Sequence, residues 1–428
     1  MKKSIILISL LPCIAFAQKE DYNWALGNYI INFDSNPPQK TEVVNPTNAY
    51  NSSCISDRNG NLLFRYGGNK LWDINENQIF TNVGSLMHSP SLIPFPYNND
   101  KTLFFYSVVG KGVYCSVISN ENPQNITTLK TFSSKNTKFI FIQQKNTENI
   151  WFLSSVNNKI EISLITKDGF SEPKILDIPY DVSSSTVSLD NSKIIFGIGT
   201  EKSVLFDFDS ENGILKENFQ FNLYSQCSFS ASGKYIYNIE KNDVNSCNIV
   251  RYNIESATDE QTLLNSKFLI KQIPAMSETI PKIAPDKNIY IKLGFSLYAI
   301  YDCDTENAHC EPNAITFDKI VSNFPFTFHY NFDNPCQNPP SASFDNTKVC
   351  FGEPLKITLF GIAPFEIFYT FNGEEKSVKT SETEYLMNNI PGKYKITKVS
   401  DQSCDFIPNK NVESEILSKI KPPKIIKE

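Results

Sequence analysis

The sequence predicts an all-β protein, a six- or seven-bladed β-propeller followed by an Ig-like β-sandwich. Three observations carry that prediction. The 428 residues include 32 Phe and 19 Tyr, with much Asn, Ser and Ile and no long Ala/Leu/Glu stretch. Aromatic and β-branched residues suit a pleated, half-buried surface. A turn-and-strand pattern recurs with a period of about 40–50 residues, the size of a four-stranded blade. A Pro/Asn-rich break then separates these repeats from a stretch with a different rhythm.

The chain opens with Lys2 and Lys3, an apolar run from Ile5 to Phe16, and the small-x-small site Ala15-Phe16-Ala17. That is the pattern of a secretory signal peptide over 1–17, too short for a permanent span. Export of a chain starting at Gln18 is therefore expected. No later apolar run is long enough for a membrane segment, so no membrane span is expected. Forty basic against 46 acidic residues give a formal net charge of −6. Apart from the short tail Lys419–Lys427 there is no basic block, which argues against nucleic acid as a partner.

Residues 18–335 hold the repeat. Each unit has a polar turn of Asp, Asn, Ser or Gly leading into a short strand with a large aromatic. The aromatics are Phe64, Phe105, Trp151, Phe196, Tyr237 and Tyr290, spaced by 41, 46, 45, 41 and 53 residues. A further strand and an acidic turn follow, as in SVLFDFDSENG from Ser203 and SLYAIYDCDTE from Ser296. A four-stranded unit cannot bury both faces alone, so successive units must pack face to face around an axis. Six units lie between residues 53 and 312. The segments Trp24–Phe33 and Ile315–Phe332 are each too short for a blade. Together they predict a seventh that closes the ring and removes an exposed edge.

The stretch 336–341 reads as a linker, 342–415 as the Ig-like domain and 416–428 as a tail. Alternation is clear in LKITL and KYKITKV, and Asn372-Gly373 is a hairpin signal. Cys350 and Cys404 stand on early and late strands, the placing of an inter-sheet disulfide, and Tyr394 is the late-strand aromatic of such sandwiches.

The opening W-x-x-G-x-x-x-x-x-F (Trp24–Phe33), CISDRNGNLLF and DFDSENG resemble the N-terminal repeat domain of large secreted Bacteroidota surface proteins. That group is associated with gliding motility and type IX secretion. The run from Val349 to Cys404 looks like the PKD-like or Ig-like domains that follow in them. The resemblance implies architecture rather than activity. The C-terminal sorting domain usual in that group is not legible in 416–428.

Ten cysteines occur, Cys13 in the leader, and no CxxC pair is present. In an exported chain nine remaining cysteines point to disulfides. Besides Cys350–Cys404, the spacing favours Cys303–Cys310 within one turn and Cys227–Cys247 within one blade. Cys54, Cys115 and Cys336 are left over. The three histidines, His88, His309 and His329, show no metal-ligand or triad spacing. Two loops alternate carboxylates, Asp207, Asp209, Glu211 and Asp302, Asp304, Glu306. Such loops offer oxygen ligands to calcium, although Asp and Asn equally favour a plain hairpin turn. Calcium is the one cofactor candidate; no other is expected. Gly67-Gly68 and Gly197-Ile198-Gly199 lack the helix that a phosphate loop needs.

No catalytic set emerges. The reading is a non-catalytic exported or cell-surface binding or adhesion protein. Its propeller loops would contact a protein or glycan, with the Ig-like domain as spacer. A propeller polysaccharide hydrolase is the alternative and requires two carboxylates near the central channel. A scaffold component of a motility or secretion assembly is a further one.

Overall fold

The computed structural model of the chain describes residues 19–46, 52–81, 90–108, 112–132, 138–199, 202–223, 227–275, 280–319, 321, 324–325, 340–361, 363–388, 390–401, 405–406 and 412–418. Strands dominate them, and one short helix, α1 (Glu260–Asn265), interrupts blade 6. Asp259 caps that helix by accepting from Thr262 N, one of the orphan donors of a first turn. Among the described residues no helix is long and apolar enough to cross a membrane.

Up to Thr316 the strands fall into seven antiparallel sheets in which sequence neighbours pair in order. Blade 1 has three strands, Asn23–Ala25, Tyr29–Asn32 and Gln39–Glu42. The first strands of blades 2 to 7 are Ser52–Ser56, Ser91–Phe95, Lys138–Gln143, Ser184–Val187, Ser228–Phe229 and Pro281–Ile283. Burial falls across each blade. In blade 2 the first strand is buried throughout, whereas the fourth, Gln78–Thr81, has no buried residue. First strands therefore lie innermost and fourth strands at the rim, the arrangement of a β-propeller.

The repeated aromatics all lie in second strands. Phe64, Phe105, Trp151, Phe196, Tyr237 and Tyr290 are at most 5% exposed. The apolar clusters sit between blades rather than within them. Ile93, Phe105 and Cys115 of blade 3 pack on Phe141 and Phe152 of blade 4. Trp151 of blade 4 joins Phe196 and Phe206 of blade 5, and Ile195 of blade 5 joins Phe229 and Val250 of blade 6. Each fully buried side chain of this size stabilises by about 1.5–3 kcal/mol, so the interfaces, not single blades, hold the ring.

The ring closes between blades 7 and 1, where Trp24, Tyr29 and Ile31 pack with Tyr290, Leu297 and Phe317. The N-terminal segment supplies three strands to blade 1, and Ile315 belongs to the last strand of blade 7, His309–Thr316. Asn23, first in its strand, meets Ser56, last in the first strand of blade 2. That is the direction of a second strand, not a first. Phe324 returns to this corner, its ring 5.2 Å from that of Trp24. The rest of the expected closing segment, 326–332, lies outside the described residues.

The C-terminal domain is a two-sheet Ig-like sandwich. One sheet orders Ser341–Phe344, Leu355–Phe360 and Glu384–Met387. The other is built on Val412–Ile416, Gly392–Ser400, Phe365–Phe371 and Glu374–Thr380, with Lys348–Val349 added in parallel. Leu355, Ile357, Phe365, Ile367, Ile396 and Val399 fill the space between them. Tyr394 OH donates to the Ile390 carbonyl at 2.8 Å, a tyrosine corner.

Beside that corner, the two core positions that face each other across the sandwich hold isoleucine. The position two residues past the corner tyrosine is Ile396, and the matching strand across the core carries Ile357. Cys350 is an exposed thiol in the turn before Leu355, and Cys404 lies outside the described residues. Cys227 and Cys247 are free thiols on opposite faces of blade 6, one packed toward blade 5 and the other toward blade 7, so they cannot bridge. Cys303 and Cys310 share the cluster between blades 6 and 7 as free thiols. Cys303 donates to the Ile300 carbonyl at 2.9 Å.

Candidate functional site at one mouth of the ring

The turns after the first strands of blades 2, 3 and 4 meet at one end of the ring, and residues ahead of blade 1 join them. The blade 2 turn, Asp57–Asn61, is closed by its own aspartate. Asp57 Oδ1 accepts from Asn59 N at 2.9 Å and Asn61 N at 2.8 Å, and Oδ2 from the Asn61 amide. This local closure, typical of Asx turns, leaves Arg58 pointing to its neighbours. Arg58 Nη2 donates to Glu148 Oε1 of the blade 4 turn at 2.5 Å, and its Nε lies 3.8 Å from Glu20 Oε1. Glu148 Oε2 accepts from Tyr97 N of the blade 3 turn at 2.8 Å. One arginine and one glutamate thus tie blades 2, 3 and 4.

Glu20 comes from the strap Lys19–Asn23 ahead of blade 1. Its carbonyl accepts from Ser56 N at 2.8 Å. Asn23 Nδ2 donates to Ser56 Oγ and to the Gly60 carbonyl, both at 2.8 Å. The Glu20 side chain is 5% exposed and its Oε2 has no hydrogen-bond partner. Burial pushes its carboxyl up to about 8, against the pull of Arg58. Lys282, the middle residue of the blade 7 first strand, donates to the Pro325 carbonyl and lies 5.7 Å over the Trp24 ring. Burial pushes its ammonium down to about 8, with Cys54 and Asp21 acting the other way. Cys54 donates to the Asn23 carbonyl at 2.9 Å and accepts from Ala25 N at 3.2 Å. Burial holds its thiol up at about 12. Two carboxylates with opposed surroundings, one desolvated and one held by arginine, are the raw material of acid–base chemistry.

The acidic loops singled out from sequence are used differently. Asp209 accepts from Glu211 N, Asn212 N and the Asn212 amide, which holds its carboxyl below the usual range, the Asn212 amide first among the causes. Asp304 reaches across to blade 6 and accepts from Ser232 N and Oγ. Glu211 lies 3.7 Å from Lys145 of blade 4, and Asp207 accepts from the Asn218 amide at 3.3 Å. Asp302 sits 3.8 Å from His309, and Glu306 is exposed. Among the described residues no three His, Cys, Asp or Glu side chains gather as a metal site. His88 and His329 lie outside them.

Sequence reasoning passed over Glu20, Arg58, Glu148 and Lys282. Two of them sat inside repeated turns and were read as turn residues. The aligned turns of other units carry charges as well, among them Lys193, Lys234 and Lys287, so a charged turn residue alone did not mark the site.

Residues 340–414 match the family model described as nucleoporin pom152-like, ninth immunoglobulin-like domain. No curated protein matches the chain. Among solved structures, the chain is similar to a putative 6-phosphogluconolactonase from Bacteroides uniformis at 13% identity and a TM-score of 0.46, over 72% of this chain and 100% of that one. It is also similar to the β-propeller domain of Cps50 (Swd1) from Myceliophteria thermophila at 10% identity and 0.41, over 66% and 95%. Likeness at this level says nothing of chemistry.

Proposed function

We propose that this is an exported, non-catalytic binding or adhesion protein of the bacterial cell surface. The propeller meets a protein or glycan, and the Ig-like domain spaces it from its point of attachment. The observation that carries this reading is the use made of the charges at the described mouth. Arg58 and Glu148 join three blades, so groups with acid–base capacity serve as ties in a rigid scaffold. The N-terminal leader pattern and the resemblance to secreted Bacteroidota proteins of the gliding-motility and type IX secretion kind support the location. A binding array of glycans and matrix proteins, probed with the full exported chain, tests it. Saturable binding to one class is expected, and no binding to any class would overturn it.

One observation favours a second reading, a polysaccharide hydrolase. Glu20, Asp21 and Glu148 do gather at one mouth, and Glu20 is held in the acid form while Glu148 faces arginine. Reducing-sugar release from a polysaccharide panel, abolished by Glu148→Gln, would establish that reading and displace the first.

A further inference from the structure

We infer that Glu20 holds a proton in the folded ring, and that losing it releases the Lys19–Asn23 strap from the turns of blades 2 and 4. Few cations at this mouth are left to offset Glu20. On the strap itself Lys19 is taken by Asp34, and Asp21 is the carboxylate that acts on Lys282. From blade 2, Arg58 is committed to Glu148 at 2.5 Å and only approaches Glu20 at 3.8 Å, while Asp57 closes its own turn. From blade 4, Glu148 is the facing acid, and Lys145 lies by Glu211 instead. From blade 7, Asp286 accepts from Tyr290 OH at 2.7 Å.

Three buried carboxylates, Glu20, Asp21 and Glu148, thus share two cations, Arg58 and Lys282. An isolated buried carboxylate is too costly to keep ionised and takes up a proton instead. Glu20 is the one to do so, because Asp21 has Lys282 and Glu148 has Arg58, whereas Glu20 Oε2 lacks a partner and both other acids raise its affinity for the proton. Ionised, it would face two like charges in a closed space with half an arginine to offset them. The bonds that hold the strap, from Ser56 N to the Glu20 carbonyl and from the Asn23 side-chain amide to the Gly60 carbonyl, lie within three residues of it.

The sign follows directly. The folded chain keeps a proton that the unfolded chain has lost between the ordinary 4.5 and about 8, so stability falls as pH rises through that window. Thermal melting of the full chain from about pH 5 to about pH 9, for wild type and Glu20→Gln, reads this. The wild-type midpoint is expected to fall with pH, and the neutral isostere to flatten the curve. In wild type alone, hydrogen-exchange protection of residues 19–24 is expected to drop about tenfold or more across the window while second strands hold theirs. That arm decides the matter if the variant does not fold. A flat wild-type profile, or an unchanged slope in Glu20→Gln, would overturn the inference. So would a midpoint at pH 8 that chelator lowers and a divalent ion restores, because a metal ion would then supply the missing charge.

Discussion

Gly213, in the turn before the last strand of blade 5, has φ +64°, and a Cβ there would come 2.5 Å from the Trp151 ring of blade 4. Trp151 in turn donates from Nε1 to the Ser210 carbonyl at 2.8 Å. Gly213→Ala therefore combines a left-handed backbone with a clash, and both destabilise. A loss of about 2–4 kcal/mol is expected, read by urea unfolding. Lys282 makes a prediction of opposite sign to Glu20. Its ammonium is held down at about 8, so between about 8 and its ordinary 10.5 the folded chain lacks a proton that the unfolded chain keeps, and stability rises with pH there. Lys282→Met should remove that rise from the melting profile. A rise that persists in the variant would place its origin elsewhere.

At the scale of elements, the second strands were the most legible part of the chain. Each must bury a large side chain against a neighbouring blade, and the same need recurring at Phe64, Phe105, Trp151, Phe196, Tyr237 and Tyr290 writes itself as a period. Trp151 and Tyr237 add a second duty, each donating to a backbone carbonyl in the following blade, Ser210 and Cys303. The Ig-like sandwich was legible for its alternation, but its cysteines misled. A pair on early and late strands imitates an inter-sheet bridge, whereas the core places it would fill hold Ile357 and Ile396. Tyr394→Phe should cost that domain about 1–2 kcal/mol, because the corner bond to Ile390 is lost and a carbonyl is left short; a domain transition unmoved in calorimetry would contradict it. The mouth was not legible at all, since residues 20, 58, 148 and 282 meet only in space. The acidic turns were legible as turns. Asp207, Asp209 and Asp304 accept hydrogen bonds within the chain, so chelator should leave the melting midpoint where it is. A clear drop would return calcium to Asp209 or Asp304.

For the whole molecule, stability lies in interfaces between blades, and the interface between blades 7 and 1 is made from both ends of the propeller. Tyr29 reaches Asp318, 289 residues away, Lys40 donates to the Thr316 carbonyl at 2.7 Å, and Phe324 meets Trp24 edge to face. A chain cut after residue 315 should therefore melt well below one cut after residue 335, although it loses no complete blade. Equal midpoints in a thermal scan would show that the ring does not depend on this junction. Such a junction also sets an order in time. Blade 1 is made first yet settles last, since its partners are near the far end of the propeller and distant contacts close slowly. Until the far end of the propeller has been made, Trp24 lacks the Tyr290 and Phe324 rings that pack on it. The half-made ring cannot lock prematurely, and it finishes itself only when the seventh blade has been made.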